Sequence, residues 1–254
     1  NKSLYEVLID AYSEDKNPTI TQPSMTISSS TAKAYEVGTN VTPAYSSTFN
    51  AGNYEYGPTP TGVTATTYAA SNNKTDETAD TATGTFAEYQ VVDGSNYNIT
   101  LAITYSDGAI PKTALDAEYA AGKIVGKTIS KTSGNISGYR NSFYGTTTDK
   151  TAETTSDVIR ALSQKSNKAL ANGNTFTVTI PVGAQRVIIA YPATLRAVTS
   201  IKDVNGLNAD ITSAFASSAA SVAGANGYSP IEYRVYTQDY ANANDTANTY
   251  TVTI

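Results

Sequence analysis

Polar and hydrophobic residues alternate with a period of two along most of this chain, and only two segments follow the period of a helix. The first helical segment carries one apolar stripe at three- and four-residue intervals, formed by Leu4, Val7, Leu8, Ala11 and Tyr12. Ser3 and Glu6 have the spacing of a capping box, which begins a helix. Pro18 ends it, because proline cannot continue the backbone hydrogen-bond pattern. The pattern therefore predicts a short amphipathic helix within residues 1–17.

The apolar stripe of this helix needs a partner, because an isolated helix of this length is marginally stable in water. Two interpretations remain open from the residues alone. The helix docks onto the next domain of the same chain, or it joins an upstream part of the protein or a partner chain. The second interpretation makes the stripe a candidate assembly interface, with the side chains of Leu4, Val7, Leu8 and Tyr12.

From residue 18 to about residue 144 the chain reads as a series of short strands separated by turns. The clearest is residues 97–105, in which large apolar side chains alternate with small or polar ones, as in a half-buried antiparallel strand. Asp93, Tyr97 and Ile99 have the spacing of the tyrosine corner of immunoglobulin-like sandwiches. Ile99 stands where antibody domains carry a disulfide cysteine. The pattern predicts an immunoglobulin-like β-sandwich over residues 18–145.

The C-terminal part predicts a second β-sandwich after a linker. Residues 145–155 are small and polar, and a second helix is expected from Ser156 to about residue 171, ended by Asn172 and Gly173. Residues 175–180 alternate cleanly, and residues 186–191 form an apolar run typical of a central strand buried on both faces. A last strand, residues 248–254, ties the C-terminus into a sheet. The predicted fold is all-β, with two tandem sandwiches at residues 18–145 and 174–254, an N-terminal helix in 1–17, and a linker with a short helix in 146–173.

Composition narrows the function classes. The 254 residues include no Cys, no His and no Trp, but 19 Tyr. Disulfides and thiolate metal sites are therefore excluded, and the usual general base is missing. The net charge of −5 and the scattered 17 Lys and Arg argue against nucleic acid, and no apolar run reaches the roughly 20 residues of a membrane span. Residue 1 is Asn, so we expect a processed chain or a piece of a longer one.

Three motifs could carry chemistry, and each has a simpler structural explanation. Ser163 and Lys165 lack the spacing of a serine–lysine nucleophile. Carboxylates that could pair for glycoside hydrolysis lie mostly in loops, where they serve as solvating charges; they are Asp76, Glu77, Asp80, Asp149, Glu153 and Asp245. Asp203 and Asn205 before Gly206 resemble the start of a calcium loop, but a β-turn explains them better. We predict no catalytic, cofactor-binding or metal-binding residue, and no enzyme.

Tyrosine is the residue type that most favours protein contacts, because it covers a large area with little loss of rotamer entropy. Most tyrosines here fall at alternating positions within strands, where they are expected in the core. Tyr54 and Tyr56 lie beside the Gly57–Pro58 turn instead. The sequence therefore predicts these two as surface contact residues.

Several stretches resemble a family of uncharacterised structural proteins from gut bacteriophages and related prophages. The resemblance is carried by residues 34–43, AYEVGTNVTP, and 138–145, GYRNSFYG, in the first predicted domain. In the second it is carried by residues 182–196, VGAQRVIIAYPATLR, and 203–208, DVNGLN. No catalytic or binding residue can be transferred from the family. The resemblance implies a virion protein with immunoglobulin-like modules that decorate a capsid, neck or tail.

The expected function is that of a non-enzymatic virion appendage, fibre or decoration module, which acts by assembly and surface display. Its expected partners are other virion proteins and further copies of the chain, with a trimer as the first expectation, and a host surface glycan is a further candidate. Neither nucleic acid nor a membrane is expected as a partner. Two alternatives remain: a bacterial cell-surface adhesin or surface-layer module, and a carbohydrate-active enzyme.

Overall fold

The structure is a computed structural model that describes residues 2–12 and 14–254. Strands account for 42% of it and helices for 8%, and the strands form several antiparallel sheets. This confirms the all-β class, with an architecture consistent with β-sandwich domains. The immunoglobulin-like identity of the first domain stays a prediction.

In the described part of the chain, the two α-helices are α1 (Leu4–Tyr12) and α2 (Ser156–Arg160). The strands, in chain order, are β1 (Ile20–Thr21), β2 (Ser24–Ser28), β3 (Ala34–Glu36), β4 (Asn40–Val41), β5 (Ala44–Asn50), β6 (Asn53–Tyr54), β7 (Ala65–Asn72), β8 (Thr78–Ala79), β9 (Thr83–Thr85), β10 (Tyr89–Gln90), β11 (Asn96–Tyr97), β12 (Ile99–Tyr105), β13 (Thr128–Thr132), β14 (Ile136–Tyr139), β15 (Phe143–Thr147), β16 (Gln164–Lys165), β17 (Thr175–Ile180), β18 (Arg186–Pro192), β19 (Ser200–Asp203), β20 (Ala209–Asp210), β21 (Ala216–Val222), β22 (Ile231–Asp239) and β23 (Asn248–Thr253). Short 3₁₀ turns occupy Ala120–Gly122, Thr212–Ala214 and Ala225–Gly227.

The chain divides into two compact units, which are not two successive stretches of sequence. Unit 1 comprises Asn1–Ala32, Thr42–Ala87 and Tyr97–Asn135, and unit 2 comprises Lys33–Val41, Glu88–Asn96 and Ile136–Ile254. The sequence analysis instead predicted two domains that follow one another along the chain, with the first ending at residue 145. Two inserted segments join unit 2 through backbone hydrogen bonds: the amide of Gly38 donates to Val91, and the amide of Ala225 donates to Val37.

Unit 1 contains a four-stranded sheet in the order β13-β12-β7-β8 and a three-stranded sheet in the order β2-β5-β9. Strand β12 is the predicted half-buried strand, and its burial alternates along its whole length from Ile99 to Tyr105. One core cluster of this unit is formed by Tyr54, Val63, Tyr105 and Ile124. The alternation of the sequence therefore gives the correct strand and the correct inward face.

Unit 2 is built around a five-stranded sheet in the order β16-β15-β18-β22-β21. Strand β18 is its central strand, and every residue from Val187 to Pro192 is buried. Its two faces belong to different clusters: Ile189 lies in one core, and Ile188 lies in the core that includes Ile159 of α2. The apolar run of residues 186–191 is thus a strand covered on both sides, as predicted.

Unit 2 also contains a four-stranded sheet in the order β17-β23-β19-β20. Strand β23 pairs antiparallel with β17 over six residues, from Thr175 opposite Thr253 to Ile180 opposite Asn248. Ile254 at the end of the chain is 2% exposed. The predicted pairing of the C-terminal segment in a sheet is confirmed.

The second helix is shorter than predicted. It spans Ser156–Arg160, and its N-cap is Thr155, whose hydroxyl accepts a hydrogen bond from the amide of Val158. The expected continuation to residue 171 is wrong, because Gln164 and Lys165 pair with β15 at the edge of the five-stranded sheet. Pairing with a neighbouring strand overrides the helical period of this segment.

Candidate functional site

Helix α1 presents its apolar stripe at the surface. Its capping box is formed as predicted: the amide of Ser3 donates to Oε2 of Glu6 at 2.6 Å, and the amide of Glu6 donates to Oγ of Ser3 at 3.2 Å. The four predicted interface side chains are all exposed by about half or more, with values of 76% for Leu4, 49% for Val7, 48% for Leu8 and 85% for Tyr12. The predicted interface is therefore an accessible apolar surface on a capped helix.

Tyr54 is not a surface residue, which corrects its predicted role. Its side chain is 2% exposed, and its hydroxyl donates to the carbonyl of Ala109 at 2.8 Å and accepts from the amide of Ile124 at 2.9 Å. The phenol thus joins two loops of unit 1 from the inside. Tyr56 is half-buried, and a hydrogen bond with the carboxylate of Glu55 raises the pKa of its hydroxyl.

The most organised polar cluster lies in unit 2, at the end of β14, where Arg140 follows the strand directly. The Arg140 side chain is only 7% exposed, and it forms a bidentate ion pair with Asp93. Nε lies 3.0 Å from Oδ1 and Nη2 lies 2.5 Å from Oδ2. Nη2 also donates to the carbonyl of Ser229 at 2.9 Å, and the guanidinium lies 5.2 Å from the ring centre of Tyr228. The pair anchors the 88–96 segment and the 228–231 loop to one buried cation.

A second ion pair, which is partly buried, lies in the same unit. Nη1 of Arg160 donates to Oε1 of Glu36 at 2.5 Å, and Nδ2 of Asn141 donates to Oε2 of the same carboxylate at 2.8 Å. The hydroxyl of Tyr233 donates to the carbonyl of Asn141 at 2.8 Å. Burial raises the pKa of Tyr233 well above its ordinary value, so this phenol stays protonated at neutral pH.

Three consecutive residues after β14 keep buried polar atoms without a hydrogen-bond partner among the described residues. These atoms are Nη1 of Arg140, Oδ1 of Asn141 and Oγ of Ser142. A buried polar atom that lacks a partner costs free energy, and such groups in native proteins usually meet a water or a ligand. The cluster therefore has hydrogen-bonding capacity that the protein atoms leave unused.

A cavity of about 370 Å³ is lined by Arg140 and by its ion-pair partner Asp93. Asp93, Tyr139 and Arg140 are its charged and phenolic lining residues. Its remaining wall is mostly aliphatic and is formed by Gly138, Ala169, Leu170, Pro192, Thr194, Leu195 and Ile231. We call this the Arg140 cavity; all of its lining belongs to unit 2.

None of the remaining sequence candidates lines the Arg140 cavity. Lys165 lies in the short edge strand β16. Asp203 closes a turn by accepting from the amide of Gly206 at 2.8 Å, and positive φ angles fall at Leu207 and Asn208 rather than at the predicted turn pair. Within residues 2–12 and 14–254, no group of three or more acidic, His or Cys side chains could hold a metal ion, and no helix is long and apolar enough to cross a membrane.

Sequence reasoning did not single out the Arg140 cluster as a site. The segment Arg140-Asn-Ser142 is polar and looks like an ordinary turn between two strands. The feature of the sequence that could have indicated burial of this triplet was its position between the aromatic residues Tyr139 and Phe143. Comparison with protein-family models, with curated proteins and with solved structures found no match for this chain.

Proposed function

We propose that this protein is a non-enzymatic structural module that assembles with copies of itself through helix α1 and displays its β-sandwich units on a bacteriophage virion. The observation that carries the proposal is the capped helix whose apolar stripe is exposed in the single chain. The virion as its location is supported by the resemblance of residues 34–43, 138–145, 182–196 and 203–208 to phage structural proteins.

The physical argument concerns the free energy of the helix. A nine-residue helix has few internal hydrogen bonds and is marginally stable alone. Fully burying a Leu or Val side chain contributes about 1.5–3 kcal/mol of stabilisation. Leu4, Val7 and Leu8 are about half or more exposed, so a similar share of this stabilisation becomes available only when a partner covers them. Packing against another apolar helix stabilises both the helix and the contact.

A further copy of the chain is the partner that best fits this stripe. The exposed side chains Leu4, Tyr5, Val7, Leu8 and Tyr12 are apolar or amphipathic, so identical stripes meet without like-charge repulsion. Copies related by a closed rotation bury the same patch in every subunit. Three helices around one axis would form the attachment point, with the sandwich units displayed outward.

The assembly step is tested by measuring the mass of the purified chain in solution with light scattering. We expect a trimer for the unmodified protein and a monomer for Leu8→Glu, because a carboxylate cannot be buried in the apolar contact without a large cost. Leu207→Glu is the matched control, since Leu207 is 96% exposed in a loop and its replacement leaves the trimer intact. A monomer at all concentrations, or a trimer that survives Leu8→Glu, would contradict assembly through α1.

The location is tested separately by mass spectrometry of purified phage particles. Peptides of this chain in the particles, at a stoichiometry that is a multiple of the oligomer, are the expected result. Their absence from the particles overturns the virion location. Detection on the bacterial envelope instead would favour the cell-surface alternative, which shares the same architecture.

A further inference from the structure

We infer that the Arg140 cavity binds one neutral pyranose unit of a glycan, and that an N-acetylated hexosamine is the sugar that fits it best. The inference rests on the lining of the cavity and on the buried guanidinium of Arg140, whose Nη1 has no hydrogen-bond partner among the described residues. It does not depend on assembly through α1 or on the location of the protein.

The size and the wall of the cavity suit one sugar ring. Its volume of about 370 Å³ lies in the range of small-ligand sites, which are mostly apolar with a few placed polar groups. Leu170, Leu195 and Ile231 offer an aliphatic surface. The C–H face of a pyranose and the methyl of an acetamido group would pack on this surface.

The polar lining residues are suited to hydrogen bonds with hydroxyl groups. Asp93 keeps 50% of its side chain exposed although it receives hydrogen bonds from Arg140. An ionised carboxylate has about four acceptor positions, so Asp93 retains free lone pairs for ligand hydroxyls. Because Arg140 is bidentate and nearly fully buried, it fixes the orientation of this carboxylate before a ligand arrives.

The charge balance of the lining favours a neutral ligand. Among the lining residues, Arg140 and Asp93 carry one charge of each sign. An acidic sugar would place its carboxylate near that of Asp93. Burial and the nearby Glu36 carboxylate raise the pKa of Tyr139 above its ordinary value of 10.0, so its hydroxyl is protonated and able to donate at neutral pH.

The buried guanidinium of Arg140 adds an independent observation that points to a ligand. Arg140 is 8% exposed as a residue, and its Nη1 has no hydrogen-bond partner among the described residues. A hydroxylated ligand in the cavity that Arg140 lines would supply an acceptor for this guanidinium, either directly or by way of a bridging water. An apolar side chain from a partner protein would instead cover Asp93 and leave its free lone pairs without donors, at a desolvation cost.

The test is a titration of the ¹⁵N-labelled, full-length chain with free N-acetylglucosamine, followed by amide chemical shifts. We expect binding on the order of 1 mM, as is ordinary for one small ligand unit, with shifts concentrated at the residues of the Arg140 cavity. Glucose, which lacks the acetamido group, should bind several-fold more weakly, and N-acetylneuraminic acid, which is anionic, should cause no shift there. Absence of shifts with all three sugars, or shifts located elsewhere, overturns the inference.

Two variants separate recognition from folding. Asp93→Asn should weaken N-acetylglucosamine binding about tenfold or more, because it removes a charged acceptor. Since this change also leaves Arg140 without its counter-ion, Leu170→Ala is a second variant on a half-buried wall position, with an expected several-fold loss and an unchanged spectrum elsewhere. Asp76→Asn, on an exposed loop, is the matched control with unchanged affinity. Unchanged affinity in both cavity variants would refute the assignment.

The chain also offers an optical reporter, because it contains no Trp. Ala169→Trp places the sole tryptophan at the exposed rim of the cavity, and Ala87→Trp places it on unit 1. We expect a saturable change of emission with N-acetylglucosamine only for the first variant. A monomeric Leu8→Glu chain should retain this binding, so failure of the assembly proposal and failure of the sugar site are distinguishable.

Discussion

Arg186 and Asp239 lie opposite each other on the adjacent strands β18 and β22, and their side chains form a bidentate ion pair. Nε lies 2.5 Å from Oδ1 and Nη2 lies 2.9 Å from Oδ2, while Nη1 donates to the carbonyl of Ala152 at 2.7 Å. One cation therefore joins the central strand to its neighbour and to the segment that precedes α2. The hydrogen bond from Arg186 lowers the pKa of Asp239 below its ordinary value of 3.8.

This pair predicts a pH-dependent contribution to stability. Because the folded pKa of Asp239 is lowered, the contribution is present above the unfolded pKa and is lost as the pH falls through the folded value. Asp239→Asn should reduce the free energy of unfolding by about 0.5–1 kcal/mol at neutral pH, a modest value since the carboxylate is half exposed. The difference from the unmodified protein should shrink below about pH 4. Urea denaturation at several pH values measures it, and a gap that stays constant into strong acid would contradict the assignment.

Removal of the Tyr54 hydroxyl should lower the free energy of unfolding by more than the change at Asp239. Tyr54→Phe removes the hydroxyl that joins the carbonyl of Ala109 and the amide of Ile124 and leaves both without that partner. We expect a loss of about 1–3 kcal/mol in the free energy of unfolding. Tyr56→Phe, two residues away and half-buried, is the matched control with a change within about 0.5 kcal/mol. Equal effects of the two changes in chemical denaturation would show that the buried hydroxyl carries no special role.

The error at Tyr54 shows what the sequence could not supply. The turn beside it, at Gly57, is visible locally, and tyrosine beside a turn is ordinarily a surface residue. Its partners lie 55 and 70 positions further along the chain. Only the assembled loops of unit 1 enclose the ring, so no local pattern could indicate its burial.

The strands were more predictable than the site, because a strand with one buried face shows alternating apolar and polar residues within a short stretch of sequence. That alternation correctly located β12, and the apolar run correctly located β18. Arg140 was different, since its ion pair with Asp93 spans 47 positions. A buried arginine is expected only when its counter-ion is known, and the sequence does not give that pairing.

Gly38 predicts a steric effect at the inserted segment of unit 2. Its φ is +86°, and a Cβ at this residue would lie 2.0 Å from the carbonyl oxygen of Ala225. Gly38→Ala should therefore destabilise the protein by more than the roughly 1 kcal/mol that a positive φ alone costs. Gly94→Ala is the control, because Gly94 also has a positive φ but a Cβ there would meet no atom within 4 Å. In thermal unfolding, the midpoint temperature of Gly38→Ala should lie well below that of Gly94→Ala. The reverse order would refute the close approach of Gly38 to Ala225.

Ile189 tests whether β18 is the structural centre of unit 2. Its side chain is fully buried in a core cluster that also contains Tyr191 of the same strand and Val252 of β23. Ile189→Ala should cost about 2–5 kcal/mol, because the cavity it leaves cannot collapse within a close-packed core. Val182→Ala removes apolar atoms from a side chain that is 62% exposed, and should change the free energy of unfolding by less than about 0.5 kcal/mol. Hydrogen exchange of the β18 amides, measured in both variants, should show lost protection only for Ile189→Ala; equal protection in the two would mean that another strand holds the core of this unit.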